Sequence, residues 1–151
     1  MSTFISLLKE QHKEAKKLFE EALASDPVDR EKAKLVCKKL SLHMELEEKY
    51  LYPVTEKLED TQEDAKEAEL EHAEAKKAIK DIIADKLDDT ELKVKLELLS
   101  MEIEHHVKEE ENEFFPKIRK DIPKEQQEEI KEQMIALMEK KEGKEKASAA
   151  K

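Results

Sequence analysis

The chain repeats itself, and the repeat carries charged groups into helix positions that should be apolar. HMELEEKYLYP at residues 43 to 53 is matched by HVKEEENEFFP at 106 to 116, and HKEAKK at 12 to 17 by HAEAKK at 72 to 77. In both longer copies a His is followed by Glu at the fourth position and by Pro at the tenth. The chain therefore reads as two helical hairpins of one design related by a pseudo-twofold axis. Whatever one hairpin contributes to the centre, the other contributes again.

The apolar spacing supports that reading. Ile5, Leu8, His12, Ala15, Phe19 and Ala22 recur in steps of 3 and 4 and so share one helix face, which ends near Asp26 and Pro27. A second stripe runs Val36, Leu40, His43, Glu47, Leu51, Val54 and Leu58. A third, opening at Thr61 as a candidate N-cap, carries Ala65, Ala68, His72, Ala75, Ile79 and Ile82. A fourth, after the DDTE turn at 88 to 91, carries Leu92, Leu96, Leu99, Ile103, His106, Glu110, Phe114 and Ile118. Short connections favour antiparallel neighbours, so the expected fold is all-α, an up-down-up-down four-helix bundle over residues 1–122. Pro123 opens a short fifth helix over 123–141 that docks through Ile130, Met134, Leu137 and Met138. Residues 142–151 are expected to be a disordered polar tail.

Composition agrees and narrows the partners. Charged residues make up 45% of the chain and there is a single Gly, as solvated helices packed through narrow apolar stripes require. A net charge of −10 argues against nucleic acid or an anionic membrane as a partner, because both need a cationic footprint. The lone Cys37 forms no internal disulfide, and MSTFISLLKEQHKE has neither a basic segment nor a long apolar run, so a cytoplasmic location is expected.

Each of the first four helices thus carries one inward imidazole, from His12, His43, His72 and His106, and the second and fourth add Glu47 and Glu110 one turn on. A buried ionised carboxylate costs several kcal/mol unless a cation compensates it, and neither Glu has an Arg or Lys in line on its own stripe. A metal supplies the missing charge: two carboxylates can bridge two ions while two histidines ligate each. Nitrogen and oxygen donors without thiolate suit Fe, Mn or Zn, and bridging carboxylates make iron the first choice. His105 falls about 100° round the helix from His106 and reads as surface. Glu109 and Glu111 read as solvated, and Pro53 and Pro116 as kinks at the bundle end. Tyr50, Leu51, Phe114 and Phe115 read as core. ELEH at 69 to 72 and EIEH at 102 to 105 offer Glu-x-x-His, but a ferritin-like site wants that motif on alternate helices.

His12, HMELE at 43 to 47, His72 and HVKEE at 106 to 110, with FFP following, make the sequence resemble the hemerythrin-like family of HHE cation-binding domains. The resemblance spans roughly residues 4 to 120 and implies a four-helix bundle with a non-heme di-iron centre. Members of the family bind dioxygen, sense oxygen or iron, or handle peroxide or nitric oxide. The oxygen carriers have HxxxH on the third helix, where HAEAK here puts Lys76, and Lys16 takes the matching place in the first repeat. Protonated lysine is a poor ligand. The resemblance therefore implies a more symmetric centre with two histidines per iron, both Glu bridging, and an exchangeable position on each iron. The oxygen carriers also place an Asp five residues after their last His, which makes Glu111 an alternative bridge to Glu110. The implied function is binding of dioxygen, nitric oxide or peroxide by two oxo- or hydroxo-bridged iron ions. A di-iron enzyme decomposing peroxide or nitric oxide is one alternative, and a metal-free structural bundle another.

Overall fold

The computed structural model describes residues 3–149. All regular structure among them is helical: α1 (Phe4–Ala24), α2 (Arg30–Leu46), α3 (Tyr52–Thr55), α4 (Gln62–Ala84), α5 (Asp89–Glu109), α6 (Phe115–Asp121) and α7 (Lys124–Ala149). Two π-turns, Glu47–Leu51 and Glu110–Phe114, join α2 to α3 and α5 to α6. The helices α1, α2, α4 and α5 pack in a closed ring, each against two others, and α7 lies outside against α1 and α2.

Capping chemistry sets the starts. The Thr3 hydroxyl accepts from the Ser6 N–H at 3.4 Å, and Asp29 accepts from Lys32 at 3.1 Å. Asp88 and Glu91 form a reciprocal capping box at the start of α5. Thr61 stands at the N-cap of α4 but does not cap it; its hydroxyl donates instead to the Thr55 carbonyl at 2.8 Å and closes the connection from α3. Asp88→Ala should lower stability by about 1 kcal/mol in denaturant unfolding, because it leaves the Glu91 N–H without its partner.

Two apolar clusters fill the ring. One gathers Phe4, Ile5 and Leu8 with Leu46, Leu51, Tyr52, Ala65, Ala68, Phe114, Phe115 and Ile118, and α7 adds Ile130, Met134 and Leu137 to it. The other gathers Ala15, Phe19 and Ala22 with Val36, Cys37, Leu40, Ala75, Ile79, Ile82, Leu92, Leu96 and Leu99. The polar centre lies in the sequence between them on every helix. The expected stripe positions Val54 and Leu58 are only partly buried, whereas Tyr52 and Thr55 are buried. The helix α7 runs past the expected end at 141, and residues 150 and 151 of the expected tail lie outside the described residues. No helix among the described residues is long and apolar enough to cross a membrane.

Cys37 is fully buried, and loss of solvation pushes its thiol up to about 12. Thiolate is the nucleophile. Folded protein should therefore resist alkylation at pH 8 and react fully once denatured, as mass spectrometry would read.

At both prolines expected to kink the helices, the structure has a π-turn. Pro53 and Pro116 have no N–H to extend a regular ladder, and each follows a wider turn in which the preceding residue bonds five back. The Tyr52 N–H reaches the Glu47 carbonyl, and the Phe115 N–H reaches that of Glu110. In a regular helix Tyr52, nine residues after His43, would face half a turn away. The extra residue in the π-turn brings it back by about 100°, and its ring enters the centre.

Candidate metal centre

The side chains of His12, His43, His72, His106, Glu47 and Glu110 are all buried and converge at mid-bundle. They form two groups, His12 with His43 and Glu110, and His72 with His106 and Glu47, each with potential ligand atoms within 4.8 Å of one another. The carboxylates span the groups. Glu110 points Oε1 to His12 Nε2 at 3.2 Å and Oε2 to His106 Nε2 at 3.1 Å. Glu47 Oε1 lies 3.3 Å from both His43 Nε2 and His72 Nε2, one from each group. His12 Nε2 and His43 Nε2 stand 3.2 Å apart.

The outer ring nitrogens explain why the inner ones converge. Nδ1 of His12 meets Glu111 Oε2 at 2.7 Å, and that of His72 meets Glu48 Oε2 at 2.8 Å. Nδ1 of His43 meets Gln11 Oε1 at 2.7 Å, and that of His106 meets Glu71 Oε1 at 2.9 Å. Carboxylate and amide oxygens accept, so every Nδ1 must carry the hydrogen and donate. In its neutral form an imidazole so held presents its Nε2 lone pair to the centre, the arrangement that metal-binding histidines need.

Several inner atoms find no hydrogen bond among the described residues: Glu47 Oε2, Glu110 Oε1 and His106 Nε2. The last two lie near neighbours but are not aligned for hydrogen bonding. Orphaned buried polar atoms cost about 1–3 kcal/mol each, and a cation among the six side chains would satisfy all three. Burial lowers the His106 pKa, yet Glu110, Glu71 and Glu47 outweigh it and hold the imidazole well above its ordinary value. His12 is raised in the same way, against burial, by Glu110, Glu47 and Glu111. For Glu47 burial pushes upward, but His43 and His72 hold the carboxyl well below the usual range.

Tyr52 completes the centre. Its hydroxyl is 3.2 Å from His72 Nε2, 3.3 Å from Glu47 Oε1 and 3.5 Å from Glu110 Oε2. Burial, then the two carboxylates, push its pKa well above the ordinary value, so it stays a proton donor. A cavity of about 20 Å³ touches all four histidines and is otherwise walled by Ala15, Leu40, Met44, Ile103 and Val107 beside Gln11.

Sequence reasoning missed Gln11, Glu48, Glu71 and Tyr52, and Glu111, read as solvated or as an alternative bridge to Glu110, meets the outer nitrogen of His12. The repeat held the signal for four of them. Gln11 and Glu71 each precede the first His of a repeat, and Glu48 and Glu111 each follow the inward Glu. Lys76 stays half exposed and pairs with Glu48 at 2.6 Å, at the margin of the centre. His105 lies on the surface beside Glu109.

Four helices that each bring one imidazole to a buried centre, with carboxylates between them, define a class of bundle whose interior offers metal-ligating groups. The chain belongs to the hemerythrin family of HHE cation-binding domains, which it matches over residues 3–118, ending before α7. Comparison with curated proteins and with solved structures gave no match. The buried His and Glu cluster is compatible with the di-iron site of such a domain.

Proposed function

We propose that the protein is a non-heme di-iron protein that binds a small ligand, dioxygen, nitric oxide or peroxide, at a four-His, two-Glu centre. His12, His43 and Glu110 would hold one iron and His72, His106 and Glu47 the other, with both carboxylates shared. The two apolar clusters support an up-down-up-down, hemerythrin-like arrangement, because each joins the start of one helix to the end of the next. The free, buried Cys37 accords with a reducing cytoplasm.

The observation that carries the reading is the cavity against all four histidines. At about 20 Å³ it has room for one water-sized guest. Its remaining walls are mainly apolar, so they exclude larger polar substrates and leave the imidazole edges as the polar contact. Bound iron would supply redox chemistry and an exchangeable position there. Three outer carboxylates and the Gln11 amide fix the imidazoles, Tyr52 offers a proton, and the clusters above and below exclude water.

Metal analysis with a visible spectrum of aerobically purified protein tests this. Two iron ions per chain and an oxo-bridged absorption that changes reversibly with gas are expected. Protein without iron or such absorption would return the bundle to a structural role. The enzymatic alternative has Tyr52 in its favour, since a phenol beside the donors can protonate a reduced ligand. Turnover of peroxide or nitric oxide no faster than free iron gives would remove that alternative.

A further inference from the structure

We propose that the two metal positions are unequal and fill in order, with the position of Glu47, His72 and His106 filling first. This rests on the reading that the centre takes two metal ions. The repeat would make the two positions equivalent, and it is broken at two points that touch the centre.

The first break is Gln11 against Glu71. His72 and His106 both donate Nδ1–H to carboxylates, Glu48 and Glu71, whereas on the other side His12 donates to Glu111 but His43 donates to the neutral Gln11 amide. The Gln11 side chain is held in that orientation, because its Nε2 faces Met138 Sδ at 3.7 Å. A carboxylate behind an imidazole raises its basicity as a ligand and offsets the charge of the cation. Changing such a partner alters metal affinity by about 10–100-fold.

The second break is Tyr52 against Phe115. The Tyr52 hydroxyl stands 3.2 Å from His72 Nε2 and 3.3 Å from Glu47 Oε1, nearer than the 3.5 Å to Glu110 Oε2 of the other group, and so adds an oxygen chiefly to the first. Phe115 sets a hydrocarbon ring parallel to His12, with centroids 6.1 Å apart. One position thus gains a polar oxygen and the other an apolar wall.

The surface charge has the same bias. The groove that reaches His106, and with it the shared Glu110, is lined by Asp64, Glu67, Glu71, Glu109 and Glu113. The groove that reaches His12 sets Lys13, Lys16 and Lys108 against Glu20, Glu104 and Glu111. Two lysines oppose the trend, Lys117 on Asp64 at 2.8 Å and Lys76 on Glu48 at 2.6 Å. Both lysines are about half exposed and screened by water, so they weaken the bias without reversing it.

Calorimetric and absorption titration of the metal-free full chain with Co²⁺ tests the order. Two equivalents should bind in two steps whose Kd values differ about tenfold or more. His12→Ala should keep only the tight step and His72→Ala only the weak one, with far-UV circular dichroism confirming the fold. Gln11→Glu, which alters no inner group, should tighten the weak step about tenfold and leave the tight step in place. Two equivalents of equal affinity, or a tight step that survives His72→Ala, would overturn the order while leaving the metal reading intact. No uptake at all would overturn both.

Discussion

Chains carrying Glu47→Ala or Glu110→Ala should purify with iron falling from about two ions to one or fewer per chain, while far-UV helix content stays near that of the parent. The effect is large because each carboxylate serves both groups. Glu110 directs one oxygen to His12 and the other to His106, and Glu47 Oε1 is equidistant from His43 and His72. Removing either strips an anionic donor from between two positions and leaves only imidazoles on one side. The fold should survive, since the two apolar clusters flank the centre and do not depend on it. Glu110→Ala removes the largest influence holding His12 and His106 up against burial and so favours their neutral imidazoles, whereas in Glu47→Ala Glu110 still faces both rings. Iron measured by plasma mass spectrometry beside circular dichroism reads both quantities. Full iron in both variants would contradict the bridging roles.

The inward residues were legible because they obey one arithmetic. Steps of 3 and 4 keep a face, and His12, His43, Glu47, His72, His106 and Glu110 all lie on stripes most of whose apolar members are buried, Val54, Leu58 and Ile103 being partly so. That arithmetic fails where the turn widens. It put Val54 and Leu58 on the inner face and left Tyr52 half a turn away, whereas the π-turn rotates Tyr52 and Thr55 inward. The proline at the tenth position was the available signal, since a residue without an N–H invites a wider turn ahead of it. Helix phase also says little about long side chains at a helix boundary. Glu48 and Glu111 sit off their own stripes but reach across to His72 and His12 on neighbouring helices. A pattern along one helix does not reveal the acceptor behind an imidazole on the next; only the repeat hinted at it.

Removing iron should lower the thermal midpoint, and the drop should grow as pH rises from about 6 to 8. A metal present at 100 times its Kd adds about 2.7 kcal/mol, and a chain of this size shifts by about 2–4 °C per kcal/mol, so the drop is roughly 5–10 °C. Its pH dependence follows from the metal-free protein. His12 and His106 are raised above their ordinary value of 6.5, so their stabilising charge is fully present below that pH and is lost as pH rises through the raised values. Glu47 is held below its ordinary value of 4.5, so its contribution is present above that pH and is lost only as pH falls through the lowered value. Between these limits protons on the histidines substitute for the metal. Toward alkaline pH the metal-free centre keeps its carboxylates and loses its cations, while the loaded centre, whose ligands must be deprotonated, binds more tightly. Scanning calorimetry of loaded and chelated protein at pH 6, 7 and 8 measures the gap, and a gap that narrowed with rising pH would contradict this account. Glu47→Gln combined with Glu110→Gln should erase most of it, because the amides can donate to neutral Nε2 atoms and attract no cation. A double variant that still lost several degrees on chelation would mean that the metal is anchored elsewhere than on these two carboxylates.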